Sequence, residues 1–207
     1  MPPAYAGPAS HRIVLIRHGQ TVWSQTGQHT GRTDIDLTPR GEQEAGSIPG
    51  LLVGLRLAPA TVLCSPRLRS QRTATLAGMR IDDTDEDLAE WDYGNYEGMT
   101  RSQIQEQDPD WTVFTQGAPG GESPEQVAAR ADRVLDRARD LLERGDVALV
   151  SHGHMSRVLT VRWVGLPITA GSLIAMDPAA LTVLAVDRGA PIIDHANVVP
   201  LLPDEPA

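Results

Sequence analysis

All 18 basic residues of this 207-residue chain are arginine; lysine is absent. Schiff-base chemistry and a P-loop are thereby excluded, since both need a lysine amine. Any oxyanion held here must be gripped by guanidinium, which offers planar, paired donors. Cysteine is almost as scarce. A single residue, Cys64, rules out an internal disulfide framework and fits a reducing cytoplasm. It closes the run Thr61-Val62-Leu63 and reads as a buried structural thiol rather than a nucleophile. No apolar run approaches the roughly 20 residues of a membrane-spanning helix. The start, Met1-Pro2-Pro3-Ala4-Tyr5-Ala6-Gly7-Pro8, lacks the basic-then-apolar order of a signal peptide. No zinc spacing of the HExxH or CxxC kind occurs, so neither a metal nor a cofactor is expected. A formal net charge of -9 argues against nonspecific nucleic-acid binding and against an anionic membrane surface.

What is present has the composition of a soluble globular protein, 41% hydrophobic and 22% charged. The length suits one domain over residues 11–207, preceded by a flexible Pro-, Ala- and Gly-rich tail over residues 1–10. Strand patterns occur at Ile13-Val14-Leu15-Ile16, at residues 61–64, at Val147-Ala148-Leu149-Val150, and near 181–187 and 191–195. Between the first two lies a long loop, then a helix capped by Thr38 with Pro39 at N1, running to about Leu55 and weakened by Pro49-Gly50. Another helix spans about Pro66 to Ala77 and stops at Gly78. Asp82 to Asp87 reads as a solvated connector, and a short helix follows from about Thr100 to Gln107. Ser123-Pro124-Glu125-Gln126 opens a long amphipathic helix to about Arg144, with Val127, Ala131, Val134, Leu135, Ala138, Leu141 and Leu142 as its apolar stripe. A further helix runs from about His154 to Val164. Alternating strands and helices predict an α/β fold of three layers, α/β/α, around a mostly parallel sheet.

Three strands run into chemically loaded loops. The first opens into Arg17-His18-Gly19-Gln20-Thr21, the second into Ser65-Pro66-Arg67-Leu68-Arg69, and the strong strand at 147–150 into Ser151-His152-Gly153. Loops beyond the carboxyl ends of parallel strands converge and bind ligands. His18, His152 and Arg17 would then meet. Arg69 would add a second cation in the first turn of a helix, where free amides already favour an anion. A neutral imidazole has a lone pair near pH 7, so His18 can act as a nucleophile. Two arginines and a histidine at one sheet edge make a positive pocket for an anion, despite the acidic total.

In this order Arg17-His18-Gly19, Ser65 to Thr73, Leu88-Ala89-Glu90 through Gly94 to Glu97-Gly98, and Ser151-His152-Gly153-His154 resemble the histidine phosphatase, or phosphoglycerate mutase-like, superfamily. The resemblance covers about residues 12 to 195. It implies that His18 is phosphorylated, that Arg17, Arg69 and His152 surround the phosphoryl oxygens, and that Glu90 protonates the leaving group and then assists water. It also implies phosphate or substrate contacts from Gln20, Ser24, Thr30, Gly31 and Tyr93. Ser24 stands where mutases often carry Asn. Arg67 competes with Arg69, Asp92 and Glu97 with Glu90, and His154 with His152. His29 sits in the expected substrate loop and could set specificity. Trp23, Trp91 and Trp111 could wall a pocket or anchor a core. Glu122-Ser123 could face the site or simply start a helix.

The mutase members resemble one another in a Glu-Arg-His-Tyr-Gly segment and a covering insertion. Here the segment is Glu90-Trp91-Asp92-Tyr93-Gly94, and little chain separates it from the Gly117–Gly121 loop. Hydrolysis of small phosphorylated metabolites is therefore expected, as in broad acid phosphatases or sugar phosphatases, with an open pocket and loose selectivity. A cofactor-dependent phosphoglycerate mutase is one alternative. A phospholigand-binding protein without turnover is another. Many relatives form dimers, so a homodimer is compatible, although no apolar stripe marks an interface.

Overall fold

The computed structural model describes residues 11–200 and 202, so the tail expected over residues 1–10 lies outside the described residues. Among the described residues one sheet contains β1 (Ile13–Arg17), β2 (Pro59–Cys64), β3 (Asp83–Thr84), β4 (Asp146–Ser151), β5 (Leu181–Asp187) and β6 (Ala190–Val198). The order across it is β3-β2-β4-β1-β5-β6. β1 and β2 both run parallel to β4, and β3 parallel to β2; β5 and β6 are antiparallel to their neighbours. This is the expected α/β architecture. The helices are α1 (Val22–Thr26), α2 (Pro39–Gly54), α3 (Leu68–Leu76), α4 (Arg101–Gln105), α5 (Val113–Gln116), α6 (Pro124–Leu141) and α7 (Gly153–Trp163). No helix among the described residues is long and apolar enough to cross a membrane.

Period-two alternation along β1 divides the core. Ile13 and Leu15 pack with Val127, Val134 and Leu135 of α6 and with Met155, Val158 and Leu159 of α7. Val14 and Ile16 face the other way, onto Ile48 and Leu52 of α2 and Ala74 of α3. Cys64 is buried in that second layer, and burial pushes its thiol up to about 12, as befits a structural cysteine.

Four local readings change. The loop after β1 contains α1, a single turn closed by a reciprocal cap in which Thr21 and Ser24 each accept the other's backbone N–H. Serine at the third helical position does what glutamate usually does, so the sequence signal is faint. Pro49 lies inside α2 instead of ending it. It sits on the solvent side while Ala45, Ile48 and Leu52 bury the opposite stripe on both sides of it, and that burial outweighs one lost backbone bond. The acidic segment is not merely solvated. Asp83 and Asp85 pair with Arg137, and Asp87 with Arg133, which ties β3 and the turn after it to α6. Finally, the stretch before Gly117 carries α5, too short to show a helical period.

The loop after β1 touches the first turn of α2 backbone to backbone. A Cβ on Gly19 would lie 2.3 Å from the Gly41 carbonyl oxygen, and one on Gly41 would lie 2.1 Å from that of Gln20. Gly46, on the exposed side of the same helix, has nothing within 4 Å. Gly41→Ala should therefore cost about 2 kcal/mol through overpacking. Gly46→Ala should add roughly 0.5–1 kcal/mol through helix propensity. Urea denaturation of both variants checks the pair.

Candidate active site

Parallel pairing places the carboxyl ends of β1 and β4 side by side. Arg17 is in register with Ser151, and the His18 N–H donates to the Ser151 carbonyl at 3.0 Å. The rings of His18 and His152, one residue beyond each strand, then lie 5.2 Å apart between centroids. β2 lies on the other side of β4, and its continuation Ser65-Pro66-Arg67 turns into α3, with Arg69 in the first turn. Asp34 Oδ1 accepts the Leu68 N–H at 2.9 Å and so caps that helix.

His18 Nδ1 is 2.8 Å from the carbonyl oxygen of Gly19. A carbonyl can only accept, so the ring proton is on Nδ1 and the lone pair is on Nε2. Burial, with Arg69 and then Arg17 nearby, holds the His18 pKa well below the ordinary histidine value. Arg17 donates through Nη1 to the Met176 carbonyl at 2.6 Å, and its buried Nε has no partner among the described residues. Gly153 lies over this guanidinium; a Cβ there would sit 3.3 Å from Arg17 Cζ.

Arg69 is fully buried. It donates from Nη1 to the Thr33 carbonyl, from Nη2 to those of Thr30 and Gly31, and from Nε to His152 Nδ1 at 3.2 Å. Since Nδ1 accepts, the His152 proton is on Nε2, which lies 2.7 Å from Ser65 Oγ. Both ring nitrogens are thus engaged by protein, and direct contact of His152 with a phosphoryl oxygen requires exchanging one of these bonds. Burial, then Arg69, keeps His152 neutral. Arg67 instead pairs with Glu86 at 3.8 Å, and its buried Nε has no hydrogen-bond partner among the described residues.

Glu90 reaches the same place from the turn after β3. Its Oε1 accepts the N–H groups of Trp91 and Met155, both at 2.9 Å, and Oε2 accepts that of His154 at 3.0 Å. The carboxylate therefore caps the N-terminus of α7. Of its sequence competitors, Asp92 pairs with Arg32 at 2.8 Å, and Glu97 binds the N–H groups of Gly31 and Thr33. Arg130 of α6, only 6% exposed, holds the Glu90 segment. It donates to the carbonyls of Asp87 and Ala89 and forms a two-pronged pair with Glu122. Glu122 in turn accepts the Asp92 N–H. Glu122 is thus a structural partner of Arg130, a role its sequence position does not reveal.

A cleft of about 160 Å³ lies over this cluster. Arg17, His18, Ser24, Thr30, Glu90 and Tyr93 line it, together with His29, His154, Arg157 and Met176. Arg69 and His152 lie close against His18 without lining the cleft. Gln20 does not line it either; its side-chain oxygen accepts the Thr38 hydroxyl at 2.8 Å. Gly31 serves through its backbone, which Arg69 and Glu97 clamp; a Cβ would strike the Trp91 carbonyl at 2.6 Å. The Ser24 hydroxyl is spent on the cap of α1. Trp91 and Trp111 are buried in the core, while Trp23 packs beside Gly98. Sequence reasoning missed Arg157. Its spacing of three from His154 on one helix, which puts both on one face, was the available signal. Among the described residues, no group of three or more His, Cys, Asp or Glu side chains is arranged to hold a metal ion.

The model of the histidine phosphatase superfamily, branch 1, matches residues 13–199. The chain belongs to that family. This histidine phosphatase family enzyme is 46% identical to an acid phosphatase of Mycobacterium tuberculosis over 183 residues, 88% of this chain and 90% of that protein. It is 32% identical to the sedoheptulose 1,7-bisphosphatase of Saccharomyces cerevisiae, over 76% of this chain and 69% of that one. A solved structure of a Mycobacterium tuberculosis open reading frame superposes with a TM-score of 0.90 at 44% identity, covering 92% of this chain and 99% of that one.

Two outcomes follow for the folded enzyme. Arg130→Met should destabilise it by about 3 kcal/mol, because Glu122 is left without its partner; chemical denaturation reads this directly. His18, His152 and His154 all have pKa values held well below the ordinary one, chiefly by burial. Below about pH 6.5 the unfolded chain takes up protons that the folded chain does not. The stability these neutral rings permit is thus complete above that value and falls as pH drops toward the folded-state values. Tm followed from about pH 8 to about pH 5 should decline, and less steeply in His154→Gln.

Proposed function

We propose that this enzyme hydrolyses phosphomonoesters of small soluble metabolites through a phosphohistidine on His18. The observation that carries this reading is the His18 tautomer: Nδ1–H is committed to Gly19, and Nε2 is free in a cleft shared with Arg17 and Glu90. His18 Nε2 attacks phosphorus, and the bond to the ester oxygen breaks. The departing alkoxide takes a proton from the Glu90 carboxyl group. Glu90, now ionised, takes a proton from water as its oxygen attacks phosphorus, and His18 leaves with its lone pair restored. Arg17, with the charge of Arg69 behind it, offsets the charge on the equatorial oxygens.

An acidic working range fits the same geometry. Burial and two guanidinium groups keep His18 unprotonated, hence nucleophilic, below the ordinary histidine pKa. The kinship with an acid phosphatase supports this assignment. Hydrolysis, rather than return of the phosphoryl group to a bound intermediate, is supported by the absence of the mutase Arg-His pair in Glu90-Trp91-Asp92-Tyr93-Gly94.

The test uses p-nitrophenyl phosphate and a ³²P-labelled alkyl phosphate. We expect a label on His18 that survives base and is lost in acid, and a loss of more than about 10³-fold in turnover for His18→Ala. Glu90→Gln should slow the alkyl ester by about 10²–10⁴-fold and the nitrophenyl ester much less, since nitrophenolate leaves without a proton. Full turnover in His18→Ala would overturn the reading.

A further inference from the structure

We propose that Glu44 of α2 is a positioning residue for the nucleophile, acting on His18 through the peptide group between Gly19 and Gln20. The inference rests on the phosphatase reading above, in which His18 Nε2 attacks phosphorus, and concerns what stands behind the ring.

The two ends of that one peptide carry the argument. Its carbonyl, on Gly19, accepts the His18 Nδ1–H at 2.8 Å, and its N–H, on Gln20, donates to Glu44 Oε2 at 2.8 Å. In a trans peptide these two bonds leave in opposite directions, so ring, peptide and carboxylate form one chain. The rest of the segment is held too. The His18 N–H and carbonyl meet Ser151 and Ala179, the Gly19 N–H donates to Thr73 Oγ1, and the Gln20 carbonyl accepts the Thr38 N–H. Of these partners, Glu44 is the charged one. Its reach follows from the helix. Gly41 meets the Gln20 backbone, Glu44 stands three residues later on the same face, and helical side chains lean toward the N-terminus. The Glu44 side chain is 12% exposed; its Oε1 faces Arg40 Nε at 3.6 Å, and its charge also bears on Arg17.

Phosphoryl transfer creates the need for this chain. When Nε2 bonds to phosphorus while Nδ1 keeps its proton, the imidazole ring gains a positive charge. Arg69 and Arg17 both oppose a charge there. The Gly19 carbonyl is the direct partner of the ring, and its strength as an acceptor depends on the far end of the peptide. An N–H bonded to a carboxylate pushes electron density onto its own carbonyl oxygen, because hydrogen bonds in series polarise one another. A buried aspartate on imidazole Nδ1–H serves the same end in serine hydrolases, fixing the tautomer and stabilising the ring cation. Here a peptide group stands between carboxylate and ring. If Glu44 did no more than satisfy the Gln20 N–H, a glutamine would serve as well.

Glu44→Gln decides between these roles, since glutamine keeps an acceptor for the Gln20 N–H and removes the charge. Glu42→Gln is the control: its substitution removes an equal charge from the same helix, at an exposed side chain paired with Arg72. The first-turnover rate of His18 phosphorylation is measured with the ³²P-labelled alkyl phosphate, and the His18 Nδ1–H resonance is followed by proton–nitrogen NMR. We expect Glu44→Gln to slow phosphorylation by about 3- to 10-fold, the worth of one polarised bond, with KM within about twofold of wild type. Its Nδ1–H signal should move upfield as the acceptor weakens, while Glu42→Gln matches the wild type in both. Glu44→Leu, which strands the Gln20 N–H as well, should slow the step by about 10- to 100-fold. A wild-type rate in Glu44→Gln, a slowed rate with the Nδ1–H signal unmoved, or an equal fall in Glu42→Gln would overturn the inference. Absence of label on His18 in the wild type is instead a failure of the hydrolytic mechanism, and the Nδ1–H signal still reads the coupling of Glu44 to the ring.

Discussion

The parallel ladder between β1 and β4 is the constraint on which the site depends. It matches Arg17 to Ser151 and therefore delivers His18 and His152 to the same edge of the sheet. A slip of one residue would exchange Ile13 and Leu15 with Val14 and Ile16 across the two core faces, so both hydrophobic layers enforce the register that the chemistry needs. At that edge two helices also begin. Asp34 caps α3, and Glu90 caps α7. Loop residues far apart in the chain are thus anchored at helix N-termini, and the proposed proton donor is held by the same bonds that start α7.

An acidic protein that binds an anion must keep its own carboxylates off the binding arginines. Here the division follows from the partners. Outer arginines meet Asp and Glu, whereas Arg17 and Arg69 meet carbonyl oxygens of Met176, Thr30, Gly31 and Thr33. A carbonyl fixes the guanidinium without cancelling its charge. The absence of lysine fits this scheme, because an ammonium has no plane to be fixed and shifts its pKa readily when buried.

Much of this was legible in the sequence. β-branched runs ending in His-Gly marked the central strands, and Thr38-Pro39 and Ser123-Pro124 marked two helix starts to the residue. His18, Arg17 and Glu90, each at the end of an apolar element, were found in the cleft, with Arg69 and His152 beside His18. What was not legible depends on tertiary partners. Nothing local shows that Gln20 turns toward Thr38 or that Glu122 reaches back to Arg130 eight residues later. α1 and α5 are too short for a period to emerge. Arg157 was hidden because a charged residue on an otherwise apolar helix reads as solvated until Phe114 and Gly171, from other elements, are seen around it.

The bonding of Arg69 bears on how two arginines divide one task. A guanidinium has five N–H donors. Arg69 directs Nε, Nη1 and Nη2 bonds to four protein acceptors, so little remains for a ligand. Arg17 has one such bond and an unpartnered buried Nε. Hydrogen bonding fails beyond contact distance, but charge does not: at an effective dielectric of about 20, a unit charge about 4 Å away is worth roughly 4 kcal/mol. Arg69 can therefore stabilise a phosphoryl group at His18 through its field while its donors shape the floor from residues 30–33. In the proposed mechanism Arg17 supplies the direct grip. The two arginines look equivalent in the sequence, but their bonding partners give them different work.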